Sequence, residues 1–205
     1  GGMGVLVFLL MILPMNGGYQ MFLMKAESPG PSVSKLVPKV RTTAMILYGI
    51  YMAMSVVQVV LLLIGDMPLF DALCTTFGSA GTGGFGIKND SMTSYSAYSQ
   101  VVTGIFMMLF GINFNVYFLL LMRHPKQALK CEEARWYIGI IAVSTGIITI
   151  FITNMYGSVG EALRHAFFQV SSIITTTGFA TTDFNLWPAI AKTILIMLMF
   201  IGACA

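Results

Sequence analysis

Apolar residues run along this chain in blocks of two lengths. Long blocks cover residues 1–14, 42–64, 99–122, 136–154 and 187–205, and two short ones cover 68–80 and 161–174. A bilayer core takes about 20 apolar helical residues, so the complete long blocks read as spans and the short ones stop partway. Each short block ends in a polar, glycine-bearing turn: Thr82-Gly83-Gly84-Phe85-Gly86 after the first, and Thr175-Thr176-Thr177-Gly178-Phe179-Ala180-Thr181-Thr182-Asp183 after the second. Aligned on Gly84 and Gly178, Asp71-Ala72 falls opposite His165-Ala166, and Phe85 opposite Phe179. The pattern predicts a unit of span, short re-entrant helix, glycine turn and span, because non-helical backbone at membrane depth survives only where protein or a water-filled cavity surrounds it.

The expected boundaries follow from the breakers. Pro14, Asn16, Gly17 and Gly18 end the first block, and residues 15–41 form a basic loop. Gly65-Asp66-Met67-Pro68 turns the chain into the short helix, with Pro68 at its first position. A continuous helix is predicted over 99–122, stopped by Arg123-His124-Pro125-Lys126, and a charged connector runs to Arg135. One complete unit therefore occupies 42–122 and most of a second 136–205, with residues 1–14 the tail of an earlier one. Nothing at the start resembles a signal peptide, and the chain is expected to be part of a longer protein. Internal duplication on this scale is characteristic of transport proteins.

Composition agrees. The chain is 57% hydrophobic and 9% charged, with a mean hydropathy of +0.83; its partner is a lipid bilayer, and its net charge of +3 gives no reason to expect nucleic acid. The three cysteines, Cys74, Cys131 and Cys204, lack metal spacing and read as packing residues. Charge placement sets the orientation. Of the eleven Lys and Arg, Lys25, Lys35, Lys39 and Arg41 share one loop, and Arg123, Lys126, Lys130 and Arg135 the next. The positive-inside rule puts these loops in the cytoplasm and both glycine turns outside. The turn segments are net acidic, which suits a mouth that gathers cations.

A cation shed of its water needs oxygen ligands, and stacked backbone carbonyls supply them without added charge. Glycine at 84 and 178 permits the backbone this requires. Thr82, Thr176 and Thr177 offer hydroxyls and stiff side chains, while Phe85 and Phe179 are placed to wedge the turns against neighbouring helices. Asp71 and Asp183 are candidate mouth carboxylates, each with a structural reading beside it: supporting a helix, or tying down a loop. His165 and Lys192 read as interfacial side chains and His124 as a solvated helix end. Asn113 and Asn115, mid-span, either line a pore or bridge helices.

These residues resemble the Trk/Ktr/HKT superfamily of potassium transporters, most closely its bacterial Trk-type membrane subunit. The resemblance is carried by Gly1-Gly2-Met3-Gly4, by Phe70-Asp71-Ala72 leading to Thr82-Gly83-Gly84-Phe85, by Arg164-His165-Ala166-Phe167-Phe168-Gln169 leading to 176–184, and by Leu198-Met199-Phe200-Ile201-Gly202. It implies an all-α membrane protein of four membrane helix–pore helix–filter loop–membrane helix repeats with a voltage-gated-channel-like pore, here incomplete. This chain would hold the inner helix of the first repeat, the second repeat and most of the third.

By the same resemblance Thr82, Gly83, Gly84, Phe85, Thr176, Thr177, Gly178 and Phe179 belong to a potassium filter, and Gly202 and Ala203 begin a gate. A homodimer, a cytoplasmic nucleotide-binding regulatory subunit and the inner membrane of a bacterium are implied as well. K+ is the transported ion, with no bound cofactor and no enzyme activity. A sodium-permeable or cation-coupled transporter of the same fold is the alternative. A membrane-embedded enzyme would need mid-membrane ionisable groups that the spans lack, and a scaffold subunit would leave the paired turns unexplained.

Overall fold

The computed structural model describes residues 40–121 and 131–202. The helix expected over 1–14, most of the 15–41 loop, His124 and its neighbours, Ala203, Cys204 and the Asn115 side chain lie outside the described residues. Among those described, every regular element is helical. They are α1 (Val40–Ile64), α2 (Leu69–Ala80), α3 (Ala97–Phe110), α4 (Phe114–Leu121), α5 (Glu132–Ile152), α6 (Val159–Ile174) and α7 (Ala189–Gly202). Within α1, Met45–Ile64 is long and apolar enough to cross a membrane, and so is Glu132–Met155, which adds a 3-10 turn to α5.

The breakers act close to where the pattern put them. Asp66 takes the left-handed conformation (φ 59°) that ends α1, with Met67 N–H on the Leu62 carbonyl at 3.2 Å. Pro68 caps α2 from outside instead of filling its first position. Ser158 caps α6 by accepting from Glu161 N–H at 3.2 Å. The start of α5 at Glu132 takes in residues assigned to a connector, since Glu132 and Glu133 suit the positive end of a helix.

The helix expected over 99–122 is broken between Phe110 and Phe114. A break frees carbonyls at the end of α3, and two phenols meet them: Tyr117 donates to Leu109 O at 2.7 Å and Tyr137 to Met108 O at 3.1 Å. Gly111 fits there because a β-carbon would collide with the Tyr137 hydroxyl and the Thr175 methyl. Asn113 bridges helices, its amide donating to Glu133 Oε2 at 3.0 Å. Tyr137 lies 29 residues from the carbonyl it satisfies, while Gly111 and Asn113 mark the break within the run itself.

The short helices lie inside the bundle. α2 packs on α1 and α3, and α6 packs on α5, α7 and also α3. The α3–α6 contact joins the two units: Phe168 and Phe179 belong to the first unit's core, with Met107 and Phe110. Alanines 72, 162 and 166, fully buried, let the helices approach closely. The interior holds Ser55, Gln58, Thr75, Thr76, Ser79, Thr145 and Thr149, whereas Val56, Ile64, Trp136, Ile150 and Phe200 face outward. Polar side chains mixed into an apolar interior, beneath an apolar outer surface, depart from the usual soluble pattern.

Candidate ion-binding site

Both short helices end in the same backbone turn, 94 residues apart. In the first, Thr82 N–H reaches Ser79 O at 3.2 Å, Gly83 N–H reaches Gly78 O at 2.8 Å and Gly84 N–H the same oxygen at 3.3 Å. In the second, Thr176 N–H reaches Ile173 O at 3.0 Å, Thr177 N–H reaches Ser172 O at 2.9 Å and Gly178 N–H that oxygen at 3.3 Å. This is a Schellman-type helix end, with threonine where glycine is usual. Thr82 and Thr176 are left-handed at φ 49° and 57°, a conformation costing a β-branched residue roughly 1–2 kcal/mol. Two residues on, Gly84 (φ 64°) and Gly178 (φ 93°) are left-handed too. Strain at equivalent positions of both units points to a function for the turns.

The two turns touch. A β-carbon on Gly84 would run into the backbone carbonyl of Thr177, so the first strand passes against the second. On Gly178 it would meet nothing within 4 Å, and Thr176 and Gly178 are exposed. Thr177 is buried, and its hydroxyl is engaged with that of Thr175 at 2.8 Å. Main-chain oxygens, half-exposed Thr82 and exposed Thr176 are therefore what the turns offer. Among the described residues no three of His, Cys, Asp or Glu converge; the turns present neutral oxygens at the carbonyl-rich ends of two helices.

The wedge role expected of both phenylalanines holds for one. Phe179 is fully buried and fills the space above Gly78, where a β-carbon would stand 2.8 Å from its ring. Phe85, at equivalent sequence position, is 83% exposed and wedges nothing. The difference lies in what stands six residues before each glycine. Gly78 leaves a void for an aromatic ring; Ser172 instead donates to Phe179 O at 2.6 Å and accepts from Gly178 N–H at 3.1 Å. Replacing Ser172 with Ala strips Phe179 O of its donor and leaves Gly178 N–H only the backbone carbonyl of residue 172 at 3.3 Å, a loss of about 1–3 kcal/mol. The melting temperature of the full-length protein should drop by several degrees; an unchanged melt would deny Ser172 this bracing role.

Asp71 and His165 occupy one place in the two units and do one job by different chemistry. Asp71 Oδ2 accepts from Tyr95 O–H at 2.7 Å, and His165 Nδ1 bonds Thr181 Oγ1 at 2.8 Å. Each ties a short helix to the segment beyond its turn. Burial, then the bond to Asp71, pushes the Tyr95 hydroxyl well above the usual phenol range, so it stays a donor. His165 also stacks on Tyr156. Asp183 is exposed and accepts from Asn185 N–H at 3.0 Å and its amide at 2.8 Å, pinning a 3-10 turn (Phe184–Leu186). Lys192 donates to Asn185 O at 3.1 Å. Gly202 is buried against the end of α6, where a β-carbon would collide with the Ile174 carbonyl. Gly78 and Ser172 escape a reading confined to the turns; extending the Gly84–Gly178 alignment back along both helices brings out the pair.

A family model described as a cation transport protein, TrkH, matches residues 1–153 and 147–205. The Trk system potassium uptake protein TrkH of Salmonella typhimurium is 35% identical over 210 residues, covering 100% of this chain and 44% of that protein. The potassium uptake protein TrkG of Escherichia coli is 31% identical, again over the whole chain and 43% of its own length. The crystal structure of the potassium transporter TrkH from Vibrio parahaemolyticus superposes with a TM-score of 0.77 at 28% identity, over 96% of this chain and 40% of that one. The chain thus spans less than half the length of the relatives it matches.

Proposed function

Since the chain belongs to the TrkH family of cation transport proteins, we propose that its two glycine turns form part of a potassium-selective filter in a membrane pore. The observation that carries this is the repeated turn: one hydrogen-bond pattern, one pair of left-handed residues, twice, with the strands in contact. α1 and α5 are then outer membrane helices, α2 and α6 pore helices, and α3–α4 and α7 inner helices. The outward apolar side chains face lipid and the remaining repeats. Thr82, Gly83, Gly84 and Phe85 with Thr176, Thr177, Gly178 and Phe179 supply two of four filter strands.

In this reading, backbone carbonyls replace the water of K+, and no covalent step occurs. Asp71 and Asp183 lie on the outer side, and Gly202 and Ala203 start the gate below the pore helix. The basic loops are cytoplasmic, the turns face outward, and the protein sits in a bacterial inner membrane as a dimer with a nucleotide-binding regulatory subunit. The test is cation flux through the full-length protein in liposomes. Potassium and rubidium flux well above sodium flux is expected. Flux of another solute with none of potassium would overturn the proposal, and equal sodium flux would leave the sodium-permeable alternative.

A further inference from the structure

We propose that the segment 91–95 is a strap that sets the second glycine turn from outside, and that Gln100 is the positioning residue that anchors it; this rests on the filter reading above. Gln100 lies in the first helical turn of α3, only 4% exposed. Its Nε2 faces three carbonyls of the strap: Met92 at 3.0 Å, Tyr95 at 3.3 Å and Thr93 at 3.5 Å. Three converging acceptors fix the amide with its nitrogen toward them.

The strap then reaches the other unit. Met92 N–H donates to Ala180 O at 2.9 Å, and Ser91 Oγ accepts from Ala180 N–H at 3.1 Å. Both main-chain groups of Ala180, two residues past Gly178, are therefore held by a segment that follows Gly84. Ser91 adopts a left-handed conformation (φ 55°) to do so. Tyr95 pins the far end of the strap to Asp71.

Two facts separate this from ordinary packing. Counted from the helix starts at Ala97 and Ala189, the residue equivalent to Gln100 is Lys192, whose Nζ donates to Asn185 O at 3.1 Å, so both units hold the loop before the helix by a side-chain donor at this place. And Gln100 Oε1 is buried without a protein partner, beside a polar cavity of about 450 Å³ lined by Tyr95, Arg164, His165 and Thr181. Burying an unpaired amide oxygen is unfavourable, and a leucine of similar size avoids that. What the amide contributes is the position of the strap.

The test uses the full-length protein in liposomes, comparing potassium with sodium flux for wild type, Gln100→Leu, Ser91→Ala and the double variant, with Gly178→Ser as control. Gln100→Leu should lower the potassium-to-sodium ratio about threefold to tenfold, the span of one or two hydrogen bonds. Ser91→Ala, a single-atom change at a half-buried loop residue, should shift it the same way and by less. The double variant should go no further than Gln100→Leu, because both act through Ala180. If Gln100→Leu does not fold, Ser91→Ala decides alone. An unchanged ratio while Gly178→Ser lowers it overturns the strap, as does a fall in total flux with the ratio intact. An unchanged ratio in the control as well overturns the filter reading itself.

Discussion

Gly84→Ala in the full-length protein should all but abolish potassium uptake. Two costs meet at this residue. A left-handed φ of 64° costs an alanine roughly 1–2 kcal/mol. The added β-carbon would also enter the carbonyl of Thr177, and forcing atoms into a packed site costs about 1–3 kcal/mol. The obstacle is backbone, which cannot swing aside as a side chain does, so relief comes only by parting the two strands. Together the costs correspond to a loss on the order of a hundredfold. Uptake at limiting potassium by cells lacking their own transporters, with membrane protein levels measured alongside, is the check. Uptake near wild type would mean that the strands do not meet at Gly84.

Gly178→Ser should do something different. Here a side chain enters open space, and the only penalty is a φ of 93°, which the turn escapes by rotating its peptide units. Those rotations swing the Thr177 and Gly178 carbonyls away from where they point. Potassium flux should fall far less than in Gly84→Ala, while the potassium-to-sodium ratio drops about tenfold, the equivalent of 1.4 kcal/mol between the two ions. The ratio of initial fluxes into liposomes measures it. An unchanged ratio removes Gly178 from the filter, and a collapse of all flux would show that the strand has no room to adapt.

The contrast between these glycines was out of reach of sequence reasoning, which treated them as equivalent. Their surroundings differ because the units are not copies in detail. Gly78 makes room for Phe179 while Ser172 clasps its own strand, and Phe85 is left exposed. By sequence Asp71 suits a mouth or a brace equally, and its bond to Tyr95 comes from a residue 24 positions on, in a loop with no regular pattern. The third long apolar block predicts one helix because its apolar run continues from Val101 past Phe110 with no proline; the break falls at Gly111, and Tyr117 and Tyr137 satisfy the carbonyls it frees.

What the sequence determined by itself was everything set by neighbours along the chain. The short helices end where they do because Thr-Gly turns follow them, and the pairing of the turns is written in the 94-residue repeat of Gly84 and Gly178, Asp71-Ala72 and His165-Ala166. Helix ends and turns depend on a few adjacent residues, so they leave a local signature. Tertiary structure alone decided that Gly84 lies against the Thr177 carbonyl, that Gln100 steadies Ala180 through the intervening strap, and that Gly202 rests on the end of α6. Those contacts join residues far apart along the chain. They depend on how helices pack in three dimensions, and neither partner carries a pattern that names the other.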